Sequence, residues 1–176
     1  QLAQYTSPLE ASILEYMNET YAKKQVSRKD QLFMVVQDLT SGTLLVAIRP
    51  RRRVKAASLI KVPILHAYQL ERLRKRVQHT SGHQDHLARM IRYSSNASTN
   101  VILKRLGGPN KVQRLLRETN MYRELRLVEY IPADGRTYRN KLSMADLSSL
   151  FHRLWIGRVL GPGFSDLENE QASAQM

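Results

Sequence analysis

This chain of 176 residues has no cysteine, one tryptophan and three phenylalanines. The missing thiols exclude disulfides and thiolate chemistry, and leave an exported and a cytosolic setting equally open. No apolar run approaches the roughly 18–20 residues of a membrane-spanning helix. Acidic residues are also scarce: 15 Asp and Glu stand against 28 Lys and Arg, a formal net charge of +13.

What is present suits one compact domain. Hydrophobic residues make up 42% of the chain, enough to bury a core. The excess of positive charge has two readings, an anionic partner or a solvated basic surface. Most basic residues are spread over polar helix faces, and only Arg49-Pro50-Arg51-Arg52-Arg53-Val54-Lys55 forms a dense run. That run would suit an anionic polymer. Basic residues do not alternate with aromatic ones as base-stacking surfaces require, so no nucleic acid partner is expected.

Ser7-Pro8-Leu9-Glu10 has the order of an N-cap, a first-turn proline and a capping-box glutamate, which predicts a helix to about Lys24. Leu32 to Val36 and Thr43 to Ile48 read as the two strands of a hairpin around Thr40-Ser41-Gly42. Helices are expected from Ser58 to about Gln78, from His86 to Tyr93, from Ala97 to Leu106 and from Pro109 to about Thr119. Further helices are expected after Ser143, to about Trp155, and after Ser165. His79 to Asp85 reads as a polar loop. Residues 121–141 lack helical periodicity and read as a long loop, with Asp134-Gly135 as a turn. Trp155 is expected in the core.

Ser58-Leu59-Ile60-Lys61 carries the clearest chemistry. A serine hydroxyl needs a neighbouring base to act as a nucleophile. Residues at i and i+3 share a helix face, which sets the Lys61 amine against the Ser58 hydroxyl. Taken alone, Ser58 also fits an ordinary N-cap, and Ser94-Ser95-Asn96 an ordinary turn between helices. His79, His83 and His86 are too weakly grouped for a metal site, and no metal or other cofactor is expected.

In order, these motifs resemble those of the class A β-lactamases and penicillin-binding proteins. Ser58-Leu59-Ile60-Lys61 follows a hairpin, as the family's Ser-x-x-Lys does. Met90 to Asn100, with Ser94-Ser95-Asn96 at its centre and Leu106-Gly107-Gly108-Pro109 after it, is similar to the family's Ser-Asp-Asn loop and following helix. Leu125-Arg126-Leu127 opens a segment similar to its omega loop. The resemblance implies an α/β (α+β) fold: a mostly helical domain with an N-terminal hairpin belonging to a larger antiparallel sheet. Residues 1–55 would supply the helix and hairpin, and 56–160 the helical part that carries the motifs.

It also implies roles. Ser58 would be the acylated nucleophile, Lys61 its activator and Ser94 a proton relay, with Asn96 binding the substrate amide. The substrate would be a β-lactam or a D-alanyl-D-alanine cell-wall peptide, and the protein would be exported, periplasmic or extracellular. The resemblance leaves oligomeric state open.

Three departures qualify those roles. Ser95 replaces the middle aspartate. Ile131 falls where the family's deacylating glutamate belongs, with Pro132 matching the proline after it. Glu129, two positions away, is the available substitute, and Asn100 is expected to have lost its glutamate partner. No Lys-Thr/Ser-Gly occurs after Leu142, so the chain is expected to be the N-terminal part of a longer protein. A catalytically inactive binding module of the same fold is the alternative.

Overall fold

The computed structural model describes residues 7–132, 139–159 and 165–176. The expected turn at Asp134-Gly135 lies outside the described residues. Helix α1 spans Pro8–Ala22, and Ser7 caps it by accepting the Glu10 N–H. Glu10 does not complete a capping box. Its carboxylate instead accepts the Ala47 N–H at 2.7 Å, while the Ser7 hydroxyl donates to the Leu45 carbonyl. The first turn of α1 is thereby tied to the second strand of the hairpin.

That hairpin is β1 (Met34–Gln37) and β2 (Leu44–Ile48), antiparallel, pairing Met34 with Ile48 and Val36 with Val46. The register shifts by one residue at Gln37, which pairs with Leu44. In the turn, Asp38 accepts from the Ser41 hydroxyl and from the Thr40 and Ser41 amides, contacts that lower its pKa. Gly42 supplies the positive φ of 73°. A second sheet is not evident in the sequence. It consists of β3 (Val54–Lys55) and β4 (Lys141–Leu142), antiparallel, with Arg126 bridging to Lys141 on the far side.

Helix α2 (Lys61–Leu73) is the centre of the molecule: Lys61 and every residue from Pro63 to Glu71 are buried. Around it lie α3 (Ser81–Arg92), α4 (Asn96–Arg105) and α5 (Pro109–Glu118), while α6 (Met144–Trp155) packs against β1 and α7 (Asp166–Ala174) closes the described chain. Ile60, Ile64, Tyr68, Met90, Ile102, Leu103 and Leu116, all essentially inaccessible, belong to one core cluster.

Two helix limits and one side chain differ from expectation. Helix α2 ends at Leu73, not near Gln78. Lys75 turns left-handed at φ 56°, and the Lys75 and Arg76 amides return to the Arg72 and Glu71 carbonyls. This is a Schellman closure made without the usual glycine. Helix α3 begins at Ser81, because Thr80 caps it by accepting the His83 N–H at 3.2 Å, so Gly82 is helical and not part of a loop. Trp155 is 63% exposed. The inward stripe of α6 is Leu147, Leu150 and Leu154, which turns Phe151 and Trp155 outward.

Candidate active site

Ser58 lies in a 3-10 turn, Ala57–Ile60, that runs directly into α2. Ala57 takes a φ of 45°, a left-handed conformation that costs a residue with a Cβ about 1–2 kcal/mol. The surroundings impose it. The Ala56 N–H donates to the Asn140 carbonyl at 3.0 Å, and Ala56 and Ile60 are fully buried on either side. Ser58 itself stays exposed.

Lys61, one turn further on, is only 3% exposed. Its Nζ lies 3.1 Å from Ser58 Oγ, 2.8 Å from Ser94 Oγ, 2.7 Å from the Ser94 carbonyl and 2.9 Å from Asn96 Oδ1. Ser94 Oγ is in turn 2.7 Å from Ser58 Oγ. The two hydroxyls and the amine thus close a triangle of hydrogen bonds. Every partner of the amine is neutral, and among the described residues no carboxylate bonds to it. Burial lowers the Lys61 pKa from that of an ordinary lysine. In its neutral form the amine has a lone pair for one hydroxyl proton and two N–H groups for two of the other three acceptors.

The junction between α3 and α4 delivers Ser94 and Asn96. Ser94 adopts a φ of 52°, and it presents both its carbonyl and its hydroxyl to Lys61. Ser95 accepts the Ser98 N–H at 3.2 Å and caps α4, so the middle residue of the motif serves the backbone. Asn96, the first residue of α4, accepts from Lys61 through its side-chain oxygen.

The other two residues singled out in the sequence lie apart from this triangle. Asn100 bonds no glutamate and instead takes the backbone of Ile131: it donates to the Ile131 carbonyl at 2.7 Å and accepts the Ile131 N–H at 2.8 Å. The Ile131 side chain is 2% exposed and belongs to the core. Glu129 is bound to Arg139, whose Nε lies 2.8 Å from Oε2 and whose backbone N–H reaches Oε1. Partial burial would raise the Glu129 pKa, but the contacts with Arg139 outweigh it and the net shift is downward. Glu129 makes no hydrogen bond to Ser58, Lys61, Ser94 or Asn96.

The stretch 123–131 has almost no regular pairing of its own, and four side chains take up its backbone in succession. Asp146 accepts from the amides of Arg123 and Glu124. Gln113 donates to the Leu125 carbonyl and accepts the Leu127 N–H. Asn140 accepts from Val128 and Glu129 and donates to the Glu129 carbonyl, and Asn100 then takes Ile131. Asn140 is fully buried and also holds Ala56, two residues before the nucleophile. Neither it nor Gln113 stands in a motif, and only their burial in the folded chain marks them.

The histidines have local partners. His79 and His83 pack edgewise on Tyr68, and His86 bonds the Ser98 hydroxyl at 3.2 Å. In the basic run, Arg53 is ion-paired with Glu124 at 3.2 Å. Deeper in the core, His66 Nδ1 and the Tyr122 hydroxyl are 2.8 Å apart, and burial lowers the His66 pKa to about 3.

Comparison with known proteins gives the following likenesses. The family model described as the Beta-lactamase enzyme family (Beta-lactamase2) matches residues 69–167. No curated protein matches the sequence. A mutant of PBP-A, solved as an acyl-enzyme complex with penicillin G, is similar over 89% of this chain at 21% identity and a TM-score of 0.64. Two variants of the class A beta-lactamase of the last common ancestor of Gram-negative bacteria are similar over 92% of the chain, at 17% and 18% identity and TM-scores of 0.65. The chain spans 66% of the PBP-A structure and 68% and 67% of the ancestral ones. These likenesses are of fold, and the architecture is β-lactamase-like.

Proposed function

Since this chain belongs to the beta-lactamase enzyme family, we propose that it forms an acyl-enzyme on Ser58 with β-lactams or D-alanyl-D-alanine peptides. The carrying observation is the buried Lys61 amine, bonded to Ser58 and Ser94 with no carboxylate partner among the described residues. Neutral Lys61 takes the Ser58 proton as Oγ attacks the amide carbonyl. The Ser94 hydroxyl, in contact with both, passes a proton to the departing nitrogen. Asn96 binds the substrate's amide side chain. The Ser58 N–H, in the first turn of a helix where amides lack intrahelical acceptors, is one donor to the oxyanion. The acyl-enzyme of PBP-A with penicillin G is a precedent from a protein of the same fold.

In the same reading, hydrolysis of the ester is slow. Ile131 is apolar and buried, and Glu129 is bound to Arg139, so neither supplies a base beside the ester. The behaviour is then that of a penicillin-binding protein or peptidase and not of an efficient antibiotic-degrading enzyme. The working compartment would be outside the cytoplasmic membrane, where cell-wall peptides are found.

Intact-mass analysis after exposure to a fluorescent penicillin tests both parts. The expected result is one covalent adduct that persists for minutes and is absent in Ser58→Ala. No adduct on the wild-type protein would overturn the acyl-enzyme reading, leaving a binding module of this fold. An adduct lost within seconds would overturn slow hydrolysis alone.

A further inference from the structure

Where α5 meets residues 125–128, the surface forms an open concavity of about 440 Å³ whose arginines are exposed and whose lining does not include Ser58. Arg114 and Arg117 reach it from α5, Arg126 from the loop and Arg53 from the segment before β3, and no carboxylate lines it. Arg53 already has Glu124. Among the described residues, Arg114, Arg117 and Arg126 have no ion pair or side-chain hydrogen bond. Three arginines therefore line one concavity with no ion-pair partner among the described residues. We propose that this cavity is a binding site for a compact ligand carrying two or more phosphate groups.

The walls argue for a built site. Arg114 and Arg117 are three residues apart and share one face of α5. Gln113, 7% exposed, bonds Leu125 and Leu127 on either side of Arg126, which fixes the loop against that helix. The Arg126 backbone also exchanges hydrogen bonds of 2.7 and 2.8 Å with Lys141. The backbones that carry the three free arginines are thus held in place before any ligand arrives, which lowers the ordering cost of binding. Planar guanidinium forks match phosphate oxygens in pairs, and three of them exceed what one monoanion can satisfy. A cavity of this volume suits a diphosphate or triphosphate group better than an extended polymer lying along a flat face.

The shared chemistry is the phosphate group, supplied either by a free oligophosphate or by a stretch of a phosphate polymer. Calorimetry with tripolyphosphate, inorganic phosphate and long-chain polyphosphate separates the sources. The expectation is one tripolyphosphate per chain, bound at least about tenfold more tightly than inorganic phosphate and weakened at least about tenfold in R114Q/R117Q. Amide chemical shifts of the wild-type protein provide a second readout that needs no variant, with tripolyphosphate moving residues 110–117 and 125–128. Absence of binding, unchanged affinity in R114Q/R117Q, or shifts centred on residues 56–61 would each overturn the site. Binding of the long polymer alone would overturn the compact ligand. The adduct formed at Ser58 is unaffected by any of these outcomes.

Discussion

The Ser58 cluster and the 123–131 segment both rest on polar side chains, but they use them in opposite ways. In the cluster, Lys61 is surrounded by neutral oxygens and three of its four hydrogen bonds connect side chain to side chain, so protons can be redistributed among them. In the segment, Asp146, Gln113, Asn140 and Asn100 spend their hydrogen bonds on backbone amides and carbonyls, and what they fix is shape. The one titratable group with a lowered pKa in that segment, Glu129, is held as an anion by Arg139. Among the described residues, the cluster has an amine without a counter-ion, and the segment has a carboxylate with one. Under the proposed function, acylation and deacylation therefore part company.

The contrast breaks most severely at Lys61. Lys61→Met removes the base but retains the bulk, and acylation by a fluorescent penicillin should slow about 10²–10⁴-fold with little loss of fold. In the wild-type protein the acylation rate should climb as Lys61 deprotonates and level off below the ordinary lysine value of 10.5, because burial lowers this pKa. A rate that does not change with pH up to that value would remove Lys61 from the role of base.

Next in size is Asn140→Leu. Two amides and one carbonyl of residues 128–129 lose their partner, at about 1–3 kcal/mol for each group left buried and unpaired. Urea unfolding should show a loss of at least about 3 kcal/mol. A loss under about 1 kcal/mol would mean that the segment is not held by its side-chain clamps.

His66 gives an effect that is smaller near neutral pH and grows with acidity. Its folded pKa of about 3 lies below the 6.5 of the free side chain. Between those values the unfolded chain binds a proton that the folded one refuses, so stability falls as pH drops from 6.5 toward 3. The slope from this group is at most about 1.4 kcal/mol per pH unit. His66→Phe should flatten the curve of stability against pH over that window, and an unchanged slope would remove His66 as its source.

The smallest effect is expected of Arg139→Ala. The Arg139 side chain is 76% exposed, and its ion pair with Glu129 should be worth no more than about 1 kcal/mol. The substitution should leave the lifetime of the penicillin adduct unchanged, since the backbone N–H of residue 139 still bonds Glu129 Oε1. A markedly shorter lifetime would make Glu129 a base in waiting.

Helix starts were legible wherever the cap was local and followed by a strong apolar pattern. Ser143 and Ser165 each close a capping box, and Pro109 opens α5 after Gly107-Gly108. The end of α2 was not legible, because Lys75 takes a conformation usually signalled by glycine. Nor was the start of α3, where Gly82 masked the cap at Thr80. The β3–β4 pair was hidden for another reason: two residues on each side, far apart in the chain, make no pattern. Ser58, Lys61, Ser94 and Asn96 were readable as a group because their order and spacing are distinctive. Asn140 was not, since its importance comes only from what folds around it.

The two bonds from the first turn of α1 to β2 have one more consequence. The Leu45 carbonyl and the Ala47 N–H belong to alternate residues on the side of β2 that faces away from β1. Those are the groups a foreign strand would need to extend the hairpin, and Ser7 and Glu10 already occupy them. Among the described residues, nothing occupies the corresponding outward groups of Val35 on β1. The hairpin can therefore grow in one direction only, and any strand recruited to it, from this chain or another, has to join along β1.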